Sequence, residues 1–249
     1  MLLTDKIIQT ATPSPPKIIV YGQAGCGKTT FAAGANALLI DCENGAGNVP
    51  NLKRTEYLKT WPEMKRWLAD IIAAELGDIP AIAIDTIDWM VQRICEYVVL
   101  DLDGKKPDDI TNTLGTSHGG YFKAREIVQN IVYRDLLPML NAISEKGIAI
   151  ILLAHAANTK MVTPEGYDQQ LAAPDIPAWV SQPFIEWADA VMYAKHENGK
   201  RNLTTEGNNL ILAKNRYSLP AEIEFSWAAF VDAMSTPETN LQNKELKNG

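Results

Sequence analysis

The residues Gly22-Gln23-Ala24-Gly25-Cys26-Gly27-Lys28-Thr29 fit the pattern G-x-x-x-x-G-K-[ST]. That spacing suits a polyphosphate. Its many charges need donors that carry no bulk, and glycines let backbone N–H groups turn inward. Lys28 is placed to reach β- and γ-phosphates, and the Thr29 hydroxyl to sit on Mg²⁺. Thr30 follows at the start of a helix, whose N-terminal amides add partial positive charge. ATP and Mg²⁺ are the cofactors this chemistry implies. The motif specifies phosphate binding and leaves the reaction open.

A carboxylate completes the metal site. Ala81-Ile82-Ala83-Ile84-Asp85 is an apolar strand ending in a carboxylate. Following a phosphate loop in an alternating β/α chain, Asp85 can meet Mg²⁺ directly or through water. Asp88 lies a helical turn later and reads as a first-turn helix acid.

These groups need a framework. Lys17–Tyr21 reads as a buried strand entering the loop, with a helix from Thr29 behind it. Ala37–Cys42 reads as a second strand, ending in Glu43-Asn44-Gly45. Thr60-Trp61-Pro62-Glu63 is a capping box opening a helix to Leu76. A helix is expected over Ile87–Leu100, a polar loop over Asp101–Gly120, and a long helix over Tyr121–Glu145, kinked or split at Pro138. Ile148–Ala154 is the most apolar strand, and it ends at His155. Residues 156–178 read as a long polar loop. A short helix (Ser181–Trp187), a strand (Ala190–Ala194), hairpin strands over 201–226 and a closing helix (Trp227–Met234) follow. The expected organisation is a lead-in over 1–16, one α/β domain over 17–234 and a disordered tail over 235–249.

The 249 residues carry a net charge of −7 and are 46% apolar, enough for a sizeable core. The charge argues against a surface coated in basic patches, though a local basic groove is compatible with it. Cys26, Cys42 and Cys95 lack paired spacing for zinc or a disulfide framework. With no apolar run long enough to span a bilayer and no signal-like start, a cytoplasmic protein is the expectation.

Taken together, the chain resembles the RecA-like P-loop core, and within it the phage-encoded single-strand annealing ATPases, often labelled phage nucleotide-binding AAA-type proteins. The likeness covers about residues 17–230. It rests on the phosphate loop, the Asp85 strand, Leu39–Gly45, Gly115–Arg125 and Ala213-Lys214-Asn215-Arg216-Tyr217. It implies a mostly parallel twisted sheet flanked by helices, with a C-terminal antiparallel hairpin region. It implies that Glu43 polarises the attacking water. A carboxylate at a strand end, on the nucleotide-binding face, suits that role. It implies that His155 senses the γ-phosphate, where bacterial recombinases commonly have Gln.

The resemblance also implies that Lys214 or Arg216 reaches a neighbour's γ-phosphate, so that hydrolysis depends on assembly. Gly115–Arg125 then closes a first DNA-binding loop, and 156–178 matches a second. Lys123, Arg125, Lys160 and Tyr167 are the candidate DNA contacts, with Tyr121, Phe122 and Trp179 as further aromatic platforms. The implied partners are single-stranded DNA, further copies of the chain in a ring or filament, and a single-strand-binding protein. The activity implied is DNA-stimulated ATP hydrolysis driving annealing or strand exchange, in the host cytoplasm if the gene is a phage's. Two rivals stand beside it. One is an ATP-switched accessory or loader protein of a replication or recombination complex. The other is a small-molecule P-loop kinase, against which the scarcity of arginines in the long loops counts.

Overall fold

Alternate residues of the central strands feed two separate cores. In β1 (Lys17–Gly22), Ile19 and Tyr21 face one side of the sheet, and Ile18 and Val20 the other. All four are fully buried, as a strand covered on both faces requires. The structure, a computed structural model, describes residues 14–106, 110–162, 168–197 and 199–235.

After β1 come α1 (Lys28–Gly34), β2 (Leu38–Asp41), the short edge strand β3 (Lys53–Arg54) and α2 (Trp61–Ala73). β4 (Ala81–Asp85) leads to α3 (Ile87–Glu96), a one-turn α4 (Ile110–Thr113), α5 (Lys123–Ile131) and α6 (Leu137–Ser144). β5 (Ala149–Val162), β6 (Asp168–Pro174), α7 (Ala178–Trp187) and β7 (Ala190–Glu197) follow. β8 (Lys200–Thr204), β9 (Lys214–Asn215), β10 (Glu222–Glu224) and α8 (Trp227–Ser235) complete the described chain.

The sheet order is β10-β8-β7-β1-β5-β4-β2-β3, with β6 added to β5 and β9 to β7. The strands from β7 to β3 run parallel. β8, β9 and β10 pair antiparallel. This is the mixed α/β P-loop core expected, with antiparallel strands toward the C-terminus. One consequence matters for the site. β5 lies between β1 and β4, so its middle, Leu153 to His155, stands between the phosphate loop and Asp85. On one face, Met64 and Leu68 of α2, Met90 of α3, Val128 of α5, Leu140 of α6 and Phe184 of α7 close the larger core. On the other, Phe31 and Ala32 of α1 pack with Phe230 of α8. Truncating a fully buried residue such as Leu152 would cost about 2–5 kcal/mol.

The capping box forms with both halves made, Thr60 accepting from the Glu63 amide while the Glu63 carboxylate accepts from the Thr60 amide. The long helix over 121–145 is split as expected, but by a π-helical stretch over Val132–Leu136 that joins α5 to α6, ahead of Pro138. Pro138 lies in the first turn of α6, where a missing N–H costs little. Residues 156–178 are not one polar loop. β5 continues to Val162 and pairs with β6, from Ala156 opposite Pro174 to Val162 opposite Asp168. The strands carry too little apolar alternation to announce themselves. Backbone bonds anchor them instead: Ala172 donates to the Leu210 carbonyl at 2.7 Å, and Leu212 donates to Ala172 at 2.9 Å. The Tyr21 hydroxyl donates to the same Ala172 carbonyl at 2.9 Å. Most of the expected lead-in (1–13) and tail (236–249) lies outside the described residues.

Candidate functional site: a phosphate loop and its carboxylates

The loop from Gly22 to Gly27 is shaped by glycine at both ends. At Gly22 a Cβ would sit 2.7 Å from the Ala194 carbonyl and 2.9 Å from Cys26 Sγ, so no side chain fits. Gly27 has φ +111°, a left-handed conformation that favours glycine, and it stands at the N-cap of α1. No side chain caps that helix. Lys28 is buried and folds back over the loop, donating to the carbonyls of Gly22 at 3.0 Å and Gln23 at 3.1 Å. Those bonds hold the ammonium over the loop. Gln23, Ala24, Gly25 and Cys26 line a cavity of about 340 Å³ with Tyr193–Glu197 of β7. Thr30 is exposed on α1.

Thr29 Oγ1 donates to Asp85 Oδ2 at 2.8 Å. Burial pushes the Asp85 carboxyl up to about 6, partly opposed by the Thr29 hydrogen bond, while Glu43 raises it further. A hydroxyl and a carboxylate side by side are the hard oxygen donors Mg²⁺ takes, with phosphate oxygens and water supplying the rest. Among the described residues no cluster of three His, Cys, Asp or Glu could hold a metal by itself. Thr29 and Asp85 therefore fit a cation brought with a polyphosphate.

Glu43 is aimed by its own strand end. Asp41 is buried, and its Oδ1 accepts from the amides of Glu43 at 3.2 Å and Asn44 at 2.7 Å. Arg54 donates to its other oxygen at 3.3 Å. The resulting turn brings Glu43 Oε1 to 3.5 Å from His155 Nε2. His155 pairs in register with Gly22, which sets it beside the mouth of the phosphate loop. Its Nδ1 is 2.8 Å from Asp88 Oδ2, and its amide donates to Asp88 Oδ1 at 3.1 Å. The hydrogen bond to Asp88 raises the imidazole above its ordinary value, against an opposing effect of burial.

The loop, Lys28, Thr29, Glu43, Asp85 and His155 thus converge at the carboxyl ends of β1, β2 and β4 and the middle of β5. The other candidates lie elsewhere. Lys214 and Arg216 flank the N-terminal end of β7, where Lys214 pairs with Val191 and Asn215 with Ala190. Arg216 is level with the start of β1, roughly 15 Å along the strands from Gly22 at about 3.3 Å per residue. The Lys214 ammonium donates to three carbonyls ending α7, those of Ile185 and Glu186 at 2.8 Å and Ala188 at 2.6 Å. Arg216 is 56% exposed and 3.4 Å from Asp189. Of the two, Arg216 is the one with reach.

Lys123 is exposed at the start of α5. Arg125 lies over the Phe122 ring at 4.2 Å and the Trp179 ring at 5.5 Å. Tyr121 is 93% exposed and Phe122 54%. Lys160 stands in the outer half of β5, opposite Gln170. Tyr167 lies outside the described residues.

Three residues escaped the sequence reading as parts of this site. Asp88 read only as a helix acid. Arg201 belongs to no sequence motif, yet a Cβ on Gly27 would stand 3.1 Å from its Nη1 and 3.7 Å from the Phe225 ring. Phe225 in turn stacks on Phe31 of α1 at 5.4 Å. Nothing in local spacing connects Arg201 or Phe225 to Gly27. The antiparallel pairing of β8 with β10 creates that contact.

Fold and site together define a P-loop NTPase. The chain belongs to the AAA_24 family, an AAA domain, whose model matches residues 14–217. No curated protein matches the chain. Membership makes it an AAA-type nucleotide-binding ATPase domain, of a kind that generally works with ATP and Mg²⁺. Among the described residues no helix is long and apolar enough to cross a membrane.

Proposed function

We infer that this chain is an ATP-dependent, Mg²⁺-requiring recombinase of phage type. It assembles on single-stranded DNA and promotes annealing or strand exchange. Lys28 clamps the β- and γ-phosphates, Thr29 and Asp85 hold Mg²⁺, and Glu43 orients and deprotonates the attacking water. Arg201 stands against Gly27, at the start of α1. Arg216, remote from its own phosphate loop, serves the site of the next subunit.

The observation that carries the DNA reading is the continuity of β5. One strand runs from Ile150 in the core, past His155 beside the phosphate loop, to Val162 in the projecting hairpin. A change at the γ-phosphate therefore has a direct backbone route to an outlying segment. Exposed Tyr121 and Phe122, with Lys123 and Arg125 beside them, supply an aromatic and basic surface of the kind single strands stack on. Summation of contacts along a filament reconciles the surface with a net charge of −7.

The test is phosphate release from ATP with and without single-stranded DNA, together with DNA retention in a non-hydrolysable analogue. Stimulation and retention are the expected results. ATP binding with neither would overturn the recombinase reading and favour an ATP-switched loader or accessory protein.

A further inference from the structure

The role of Asp88 goes beyond that of a helix acid. It lies in the first turn of α3, just past the Asp85 strand, with a side chain only 12% exposed. One carboxylate makes two bonds to one residue, taking the His155 amide at 3.1 Å and the ring Nδ1 at 2.8 Å. An ionised carboxylate only accepts, so the ring proton belongs on Nδ1. Main chain and ring are then both fixed, and Nε2 lies 3.5 Å from Glu43 Oε1.

We propose that Asp88 is the positioning residue of a two-position switch, in which it holds His155 so that Nε2–H pairs with Glu43 in the nucleotide-free state and with the terminal phosphate of a bound nucleoside triphosphate. The proposal rests on the ATPase reading above. With both ring nitrogens protonated, His155 ties up the carboxylate that would act on water. A terminal phosphate carries more charge than a single carboxylate and draws Nε2–H to itself. Glu43 is then free to orient water only once a triphosphate is present. No proton is consumed: Nδ1–H stays with Asp88, and Nε2–H changes acceptor.

The charged groups around the ring favour this form. Asp88 from α3 and Glu43 from beyond β2 stabilise the imidazolium, while Lys28 from α1 opposes it. Asp175, in the turn after β6, also faces it and feels its charge. The Asp175 amide donates to the His155 carbonyl at 2.8 Å, so ring and hairpin exit share one residue.

Asp88→Asn keeps an acceptor of the same shape and removes the charge. The chain has three histidines, so the His155 resonance in the full-length protein is assigned by its loss in His155→Gln. In wild type the His155 NMR titration midpoint should lie above the ordinary imidazole value, and Asp88→Asn should lower it. The variant's kcat for ATP should fall about tenfold or more, with KM within about twofold. The alkaline limb of its pH profile should move to lower pH. Gln also donates but does not titrate. In a His155→Gln background the alkaline limb should vanish, and adding Asp88→Asn should change kcat less than about twofold.

An unmoved His155 titration, or the same loss from Asp88→Asn in both backgrounds, overturns the proposal and leaves Asp88 a structural residue. A wild type without turnover overturns the ATPase reading and the switch together. The titration still decides whether Asp88 holds the ring.

Discussion

Thr29 Oγ1 and Asp85 Oδ2 lie 2.8 Å apart, joining the first turn of α1 to the end of β4 across 56 residues of sequence. The fold itself therefore sets side by side the two oxygens that the proposed Mg²⁺ site would use. Preorganisation of this kind lowers the cost of binding. It also leaves a carboxyl in a buried place, and two consequences follow from that.

The Asp85 carboxyl, raised to about 6, is protonated in the free protein at lower pH, whereas Mg²⁺ needs the carboxylate. Mg²⁺ affinity should therefore weaken on acidification, by about fourfold between pH 7.5 and pH 5.5 from the ionised fraction alone. The sign for stability is opposite. A folded-state value above the unfolded one stabilises at low pH, and that contribution is lost as pH rises through about 6. Asp85→Asn should thus stabilise the free protein at pH 7.5, on the order of 1–3 kcal/mol, while abolishing Mg²⁺-dependent turnover. Thermal melts with and without Mg²⁺ at the two pH values measure both. A free-protein gain that does not shrink at low pH would contradict the assignment.

Lys28→Ala removes the cation held over the loop by the Gly22 and Gln23 carbonyls. Turnover should drop at least about a hundredfold, because a charge aimed at the phosphates is lost from a water-poor site. The fold should survive, since neither carbonyl depends on Lys28 for its place in β1 or the loop. ATP binding by calorimetry beside a melting curve separates the two effects. Near-normal turnover would place the phosphate site elsewhere.

How much of this was legible in the sequence depended on how local each signal is. The phosphate loop, β4 with Asp85, and the Thr60–Glu63 box are runs of adjacent residues, and each was readable as such. The extended β5 and β6 were not, because Asn158, Thr159 and Gln170 carry no apolar alternation. What stabilises the hairpin is backbone pairing and the reach of Tyr21 from a strand more than a hundred residues away. Asp88 was visible as an acid, but its partner His155 lies 67 residues on. That pairing arises only because β4 and β5 are neighbours in the sheet. The separation of Lys214 from Arg216 depended on the closing end of α7, whose carbonyls capture one ammonium and leave the guanidinium outside.

That separation is testable as a contrast. Lys214→Ala strips the closing turn of α7 of the donor its three carbonyls share and should destabilise the fold by about 1–2 kcal/mol. Arg216→Ala touches only a half-exposed pair with Asp189, worth about 0–1 kcal/mol. If Arg216 serves a neighbour, its loss should cut turnover of the assembled protein about a hundredfold or more. ATP affinity should hold, because its own phosphate loop is far away. Mixing Arg216→Ala with Lys28→Ala protein should restore turnover at mixed boundaries. No restoration, with reduced ATP affinity, would make the Arg216 effect internal to one subunit.

The aromatic surface offers the sharpest test of the DNA reading. Tyr121 and Phe122 both have positive φ, 53° and 58°, and both are more than half exposed. A bulky residue in that conformation is held by its surroundings at a cost in strain. Arg125 supplies part of the hold on Phe122, with its guanidinium 4.2 Å above the ring and Trp179 beyond it. Tyr121 has no such ring partner among the described residues. If bases stack here, Tyr121→Ala should weaken single-strand binding by about 1–3 kcal/mol with little change in salt dependence, since stacking releases no counterions. Lys123→Ala should do the reverse, lowering affinity modestly and reducing the slope of log K against log salt by about 0.7 per lost phosphate contact. Fluorescence anisotropy with a labelled single strand across a salt series reads both quantities. Indifference to both substitutions would remove this surface from the DNA path, and the loader reading would gain what the recombinase reading lost.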